Sequence, residues 1–87
     1  MTVTLNDGFT VNIDESHLND WNLLKMLRGI DKGEAALVVD VAEILLGGEE
    51  QMDALAKHLE VNGVTTINAM VDAMREIMES ATALKNL

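Results

Sequence analysis

The chain has 87 residues, 48% of them hydrophobic, with one Trp, one Phe, six Met, no Pro and no Cys. That length predicts one small domain, 1–87, and the missing cysteine excludes disulfides and thiolate metal sites. Fifteen acids against six bases give a formal charge of −9, which repels phosphate backbones and anionic membranes and so argues against nucleic acid and lipid as ligands.

Val3, Leu5, Phe9, Val11 and Ile13 alternate with Thr2, Thr4, Thr10 and Asn12 on either side of Asn6-Asp7-Gly8. Period-two alternation around Asp-Gly predicts a β-hairpin over 2–13, with Asp7 and Gly8 both tolerating positive φ in the turn. An isolated hairpin is marginal, so helices from the remaining 14–87 must cover one face.

Asp14, Ser16, Asn19 and Asp20 are helix-capping residues whose acids also complement the positive end of a helix dipole. They predict a short turn over 14–18 and then a helix over about 19–30. In that helix Trp21, Leu24 and Leu27 follow one face, and Leu23, Met26 and Ile30 widen it. Trp21 reads as an anchor between helix and hairpin. A second helix is predicted over about 34–46, ending at Gly47-Gly48 as a left-handed cap. Its Ala35–Val39 segment has strand propensity, but Leu37, Val41, Ile44 and Leu45 keep helical spacing. A third helix, over about 49–60, carries Met52, Leu55, Ala56 and Leu59 on one side and closes at Asn62-Gly63. The last and longest runs from Thr66 as cap to near Leu87. Its stripe of Ile67, Met70, Met74, Ile77, Ala81 and Leu84 is broadened by Val71 and Met78. The fold class is therefore α+β, an N-terminal hairpin packed on a bundle of about four helices.

No catalytic or cofactor constellation emerges. His17 and His58 fall in different elements without cysteines, so surface or cap positions explain them better than a metal site. Ser16, between Glu15 and His17, is a capping residue rather than part of a triad, because sequence neighbours on a turn rarely aim at one atom. Asp31-Lys32-Gly33-Glu34 lacks the ligand spacing of a calcium loop. Glu49-Glu50 reads as favourable charge in a helix's first turn. Gly47-Gly48 has no following lysine and sits in negative surroundings, so it is no phosphate loop. No stretch approaches the roughly 18 apolar residues of a membrane span, and the start lacks a signal-peptide pattern. A soluble, non-enzymatic, intracellular protein is the expectation.

The methionine stripe has two readings. Core packing is the default for apolar residues at helical spacing, whereas methionine surfaces also adapt to varied partners. A helix packed on its own domain, with apolar surface left over for a second copy or a client, accommodates both. The candidate contact residues are Ile67, Met70, Met74, Ile77, Met78 and Leu84 on the last helix, with Trp21 and Leu24 on the first long one.

The order of elements and several local runs resemble the small tail assembly chaperones of long-tailed bacteriophages and prophages. The matching residues are Phe9 to Ile13, Asp14-Glu15, Asn19-Asp20-Trp21, Leu23-Leu24, Ile30-Asp31, Leu45-Leu46-Gly47, Glu49-Glu50-Gln51 and His58-Leu59. Thr66 through Leu87 corresponds to that family's following helix. Where the family often has a charged residue and proline after the third helix, this chain has Val61-Asn62-Gly63-Val64.

The resemblance implies a non-enzymatic role without cofactor or metal. Such chaperones coat the helix-rich tape measure protein in the host bacterial cytoplasm before tail tube subunits polymerise, and they are absent from the mature virion. It also implies a longer frameshifted product, and Leu84-Lys85-Asn86 is compatible with a slippery run of adenines in the message. Two other classes share the composition. An acidic inhibitor that mimics DNA fits the charge, but its acids scatter over several elements. An acyl-carrier-like domain fits the size, but Ser16 stands before His17, ahead of the main helices, and the hairpin is out of place.

Overall fold

A computed structural model describes residues 1–85, with side chains through Thr82. Strands β1 (Thr2–Thr4) and β2 (Thr10–Asn12) pair antiparallel, with Val3 opposite Val11. The alternation works as expected: Val3, Leu5, Val11 and Ile13 are buried, and the intervening threonines and Asn12 are exposed. The turn differs from the two-residue type. The Gly8 N–H donates to the Leu5 carbonyl (2.9 Å) and the Leu5 N–H to the Phe9 carbonyl (2.8 Å). Only Gly8 has positive φ, at 93°. This is a three-residue loop, a type I turn closed by a left-handed glycine in a bulge, and Asp7 keeps an ordinary backbone.

Asp14 caps a 3₁₀ turn, Glu15–Asn19, by accepting from the Ser16 N–H (3.0 Å) and hydroxyl (2.7 Å). Asp20 then caps α1 (Trp21–Asp31), accepting from the Asn22 N–H at 2.8 Å. That cap fixes the phase of α1. Leu23, Met26, Leu27 and Ile30 form the i, i+3, i+4, i+7 stripe that meets the core. Trp21 lies two residues, about 200°, from Leu23 and therefore points away. It is 71% exposed and does not anchor the hairpin, and Leu24 is 57% exposed.

Helix α2 (Leu37–Leu46) begins later than its apolar pattern suggests. Ala36 offers no capping side chain, and the chain enters through i→i−3 bonds from Leu37 to Glu34, Val38 to Ala35 and Val39 to Ala36. It is the most thoroughly buried helix, through Val38, Val41, Ala42, Leu45 and Leu46. Gly47, at φ 75°, ends it as a left-handed cap. Helix α3 (Glu49–His58) buries Leu55. The following Val61-Asn62-Gly63-Val64 is a miniature hairpin, with mutual Val61–Val64 backbone bonds of 2.9 and 3.1 Å. Its central residues are at φ 52° and 82°, the type I′ signature.

Helix α4 (Ile67–Lys85) is the longest. The Thr66 hydroxyl oxygen accepts from the Ala69 N–H (3.1 Å), the expected cap. Ala73, Met74, Ile77 and Ala81 enter one core shared with both strands, α1, α2 and α3. The architecture is thus α+β, a two-stranded hairpin followed by four helices.

Long-range side-chain bonds tie the hairpin down. The Gln51 amide imitates a neighbouring strand: its Oε1 accepts from the Asn12 N–H (2.7 Å) and its Nε2 donates to the Asn12 carbonyl (2.6 Å). The same Nε2 donates to the Leu46 carbonyl at the end of α2, 2.7 Å away. Glu76 on α4 accepts from the Asn6 N–H at 2.6 Å.

Candidate protein-interaction surface

The eight residues expected to make protein contacts divide by position. Met74 and Ile77, at 2% and 0% exposure, are core residues, so a partner does not reach them. They occupy the side of α4 that covers α2 and the hairpin, where an apolar stripe gains most by burial. Met70 and Met78 are half-buried at the margins of that stripe, and Ile67, in the first turn of α4, is 61% exposed. Leu84 lies outside the residues whose side chains are described. Trp21 and Leu24 are more than half exposed.

What the fold brings together is Trp21, Leu24 and Met78. Helices α1 and α4 both pack on α2, with their own backbones farther apart. The space between them is a groove in two connected parts. One part, of about 200 Å³, has Trp21, Leu24 and Leu18 as its walls. The other, of about 240 Å³, is lined by Ile30, Val38, Val71 and Met74. Leu27 and Met78 belong to both. An ion pair from Arg75 on α4 to Asp31 on α1 borders the second part, with both side chains well exposed. Glu79 lines the same part.

The polar residues do structural work. His58 stacks on Phe9, with ring centroids 4.2 Å apart, and its Nε2 lies 2.6 Å from Asp7 Oδ2. That bond and the Phe9 N–H bonded to Asp7 Oδ1 hold the Asp7 carboxyl below its ordinary value. Asp14 is lowered too, by the Ser16 hydroxyl and N–H that it caps. His17 lies 3.8 Å from Asp14 and 3.7 Å from Asp20. Among the described residues no three His, Asp or Glu side chains converge as metal ligands. Glu49 and Glu50 lie in the exposed first turn of α3. No helix among the described residues is long and apolar enough to cross a membrane.

Sequence reasoning missed several exposed apolar residues: Val39, Val61 and Val64 are 55%, 68% and 59% exposed. The Val-Asn-Gly-Val run carried the hairpin signal that accounts for two of them. For Val39, the phase of α2 is the signal, since Val38 and Val41 claim the interior. Gln51 was invisible, because its partner Asn12 is remote in sequence. Comparisons with known protein families, characterised proteins and solved structures find no match.

Proposed function

We propose that this chain is a non-enzymatic tail assembly chaperone that binds helical segments of a phage tape measure protein in the host cytoplasm before the tail tube forms. The observation that carries the reading is the open apolar groove between α1 and α4, with Trp21 and Leu24 standing exposed beside it. A domain of this size has few large apolar side chains to spare, and leaving its only tryptophan in water is costly unless a partner covers it. Two helices that flank a gap present ridges into which the apolar face of a third helix fits. The chain's net charge of −9 keeps the uncovered protein apart from other copies and from phosphate polymers. The resemblance in element order and local runs supplies the identity of the client.

Co-expression with a tape measure fragment tests the reading. The wild-type chain should co-purify with the fragment. Trp21→Ala should weaken binding by about 2 kcal/mol, roughly 30-fold, as loss of a central aromatic anchor does. Leu24→Asp should abolish binding while leaving the circular dichroism spectrum intact. Met74→Asp should unfold the protein, because it places a carboxylate in the core. Absence of wild-type binding, or full binding by Trp21→Ala and Leu24→Asp, would overturn the proposal.

A further inference from the structure

We propose a second protein-binding face, on the opposite flank of α2, whose occupant is a basic amphipathic helix. It does not depend on the client assigned to the α1–α4 groove. The face is a recess of about 360 Å³ where the entry to α2, Met52 of α3 and the first turn of α4 meet. Val39 and Ile67 stand at its edge, 55% and 61% exposed, with half-buried Met52 and Met70 beside them. Its floor is Val38 and Ala42. Val38 also lines the α1–α4 groove, so α2 forms the partition between the two sites.

Charge selects the occupant. Residues 34–60 hold seven carboxylates and one lysine. Glu60 pairs with Lys57 at 3.4 Å. Glu34, Asp40, Glu43, Glu49, Glu50 and Asp53 are all exposed and make no salt bridge among the described residues. Helical spacing sets Glu43 one turn beyond Val39 and Glu49 one turn before Met52, so each acid lies on the same face of its helix as a residue that lines the recess. The bases gather elsewhere, with Lys25, Arg28 and Lys32 along α1 and its end. An apolar strip edged by unneutralised carboxylates complements a helix with an apolar stripe flanked by Lys or Arg. The same face of a second copy would set acid against acid.

The test uses the full chain, labelled at its methyl groups for NMR, with three synthetic peptides of about 14 residues, near the length at which isolated helices become stable. The first carries Leu at i, i+3, i+4 and i+7 with Lys on both flanks. The second replaces every Lys with Glu, and the third keeps the composition of the first in scrambled order. The Lys-flanked peptide should shift the Val39, Met52, Ile67 and Met70 methyls, with affinity falling as salt rises. The other two should bind at least about tenfold more weakly. Paired Val39→Ser and Ile67→Ser should cost a similar factor, and Glu43→Gln with Glu49→Gln should flatten the salt dependence. Four outcomes would overturn the proposal. They are equal binding of the Glu-flanked peptide, equal binding of the scrambled peptide, shifts centred on Leu24 and Leu27, or the same methyls shifting with protein concentration alone, which makes a second copy the occupant.

Discussion

Gln51 makes three hydrogen bonds that join α3 to the outer edge of β2 and to the end of α2. Two of them, to the main chain of Asn12, are exposed, so water replaces them in part when they are lost. Each therefore contributes about 0.5 kcal/mol, at the low end for a net hydrogen bond. The third, a part-buried bond, reaches the carbonyl of buried Leu46 at the end of α2, and losing it costs about 1 kcal/mol. Gln51→Ala should accordingly destabilise the fold by about 2 kcal/mol. A domain of this length has a total stability of about 4–13 kcal/mol, so the change is large. It corresponds to a fall in Tm of about 8–16 °C.

The isosteric Gln51→Glu sharpens the test. Its carboxylate still accepts from the Asn12 N–H but sets an anionic oxygen against the Asn12 and Leu46 carbonyls, where the amide donated at 2.6 and 2.7 Å. At neutral pH it should cost at least as much as Gln51→Ala. Protonation restores a donor, so the carboxyl's folded-state pKa is raised. A raised folded pKa gives stability that is full below the unfolded value, about 4.3, and lost as pH rises through the folded one. The deficit of Gln51→Glu should therefore shrink as pH falls toward 4. Urea unfolding measures the free energies, and amide exchange at Asn12 reports the local edge. If Gln51→Ala lies within about 0.5 kcal/mol of wild type, the bonding account of this side chain is wrong.

Two further outcomes follow from the loops. Gly63→Ala, at φ 82° in the type I′ turn, should cost about 1 kcal/mol in thermal or urea unfolding, whereas Asn62→Gly should be nearly neutral or slightly stabilising. Carbon-detected NMR titration should find the Asp7 carboxyl below the usual carboxylate range, moving back toward it in His58→Ala, because the His58 bond is the largest cause of its shift. A depressed folded pKa gives stability present above the unfolded value and lost as pH falls through the folded one, so loosening of the hairpin tip belongs to strongly acidic solution. An unmoved Asp7 in His58→Ala would contradict the pairing.

The parts of this fold governed by neighbours in sequence were legible. Alternation around Asn6-Asp7-Gly8 placed Val3, Leu5, Val11 and Ile13 inside, Thr66 marked the start of α4 through a cap that the structure forms, and of the four capping residues ahead of α1 the structure uses Asp20. Errors arose where hydrophobicity was used without phase. Trp21 reads from sequence both as an anchor to the hairpin and as a contact residue, and the Leu23–Met26–Leu27–Ile30 stripe, which sets the rotation of α1 and turns Trp21 out, overturns the first. In α4 the default of core packing holds for Met74, Ile77 and Ala81, so Met74 and Ile77 are not contact residues, and among the described residues the stripe is uncovered at its margins, Ile67, Met70, Val71 and Met78. The start of α2 was misplaced because the residues before it are apolar yet uncapped. The α1–α4 groove itself was illegible, since it depends on how both helices pack on α2, with the Arg75–Asp31 ion pair bridging them.

That arrangement links stability to binding. Trp21, Leu24, Val39 and Ile67 are all more than half exposed, and the exposed part of each forgoes about 1–2 kcal/mol of burial. Together they leave unused an amount comparable to the whole folding free energy expected of the domain. The core meanwhile is aliphatic, built from Leu, Val, Ile, Ala and Met around α2. A partner that covers either flank of α2 recovers part of that free energy and binds only the folded chain. Occupancy at 100 times Kd then adds about 2.7 kcal/mol. The two flanks share Val38 as floor, so packing that firms one wall of α2 is felt at the other. Each partner should therefore favour the other's binding.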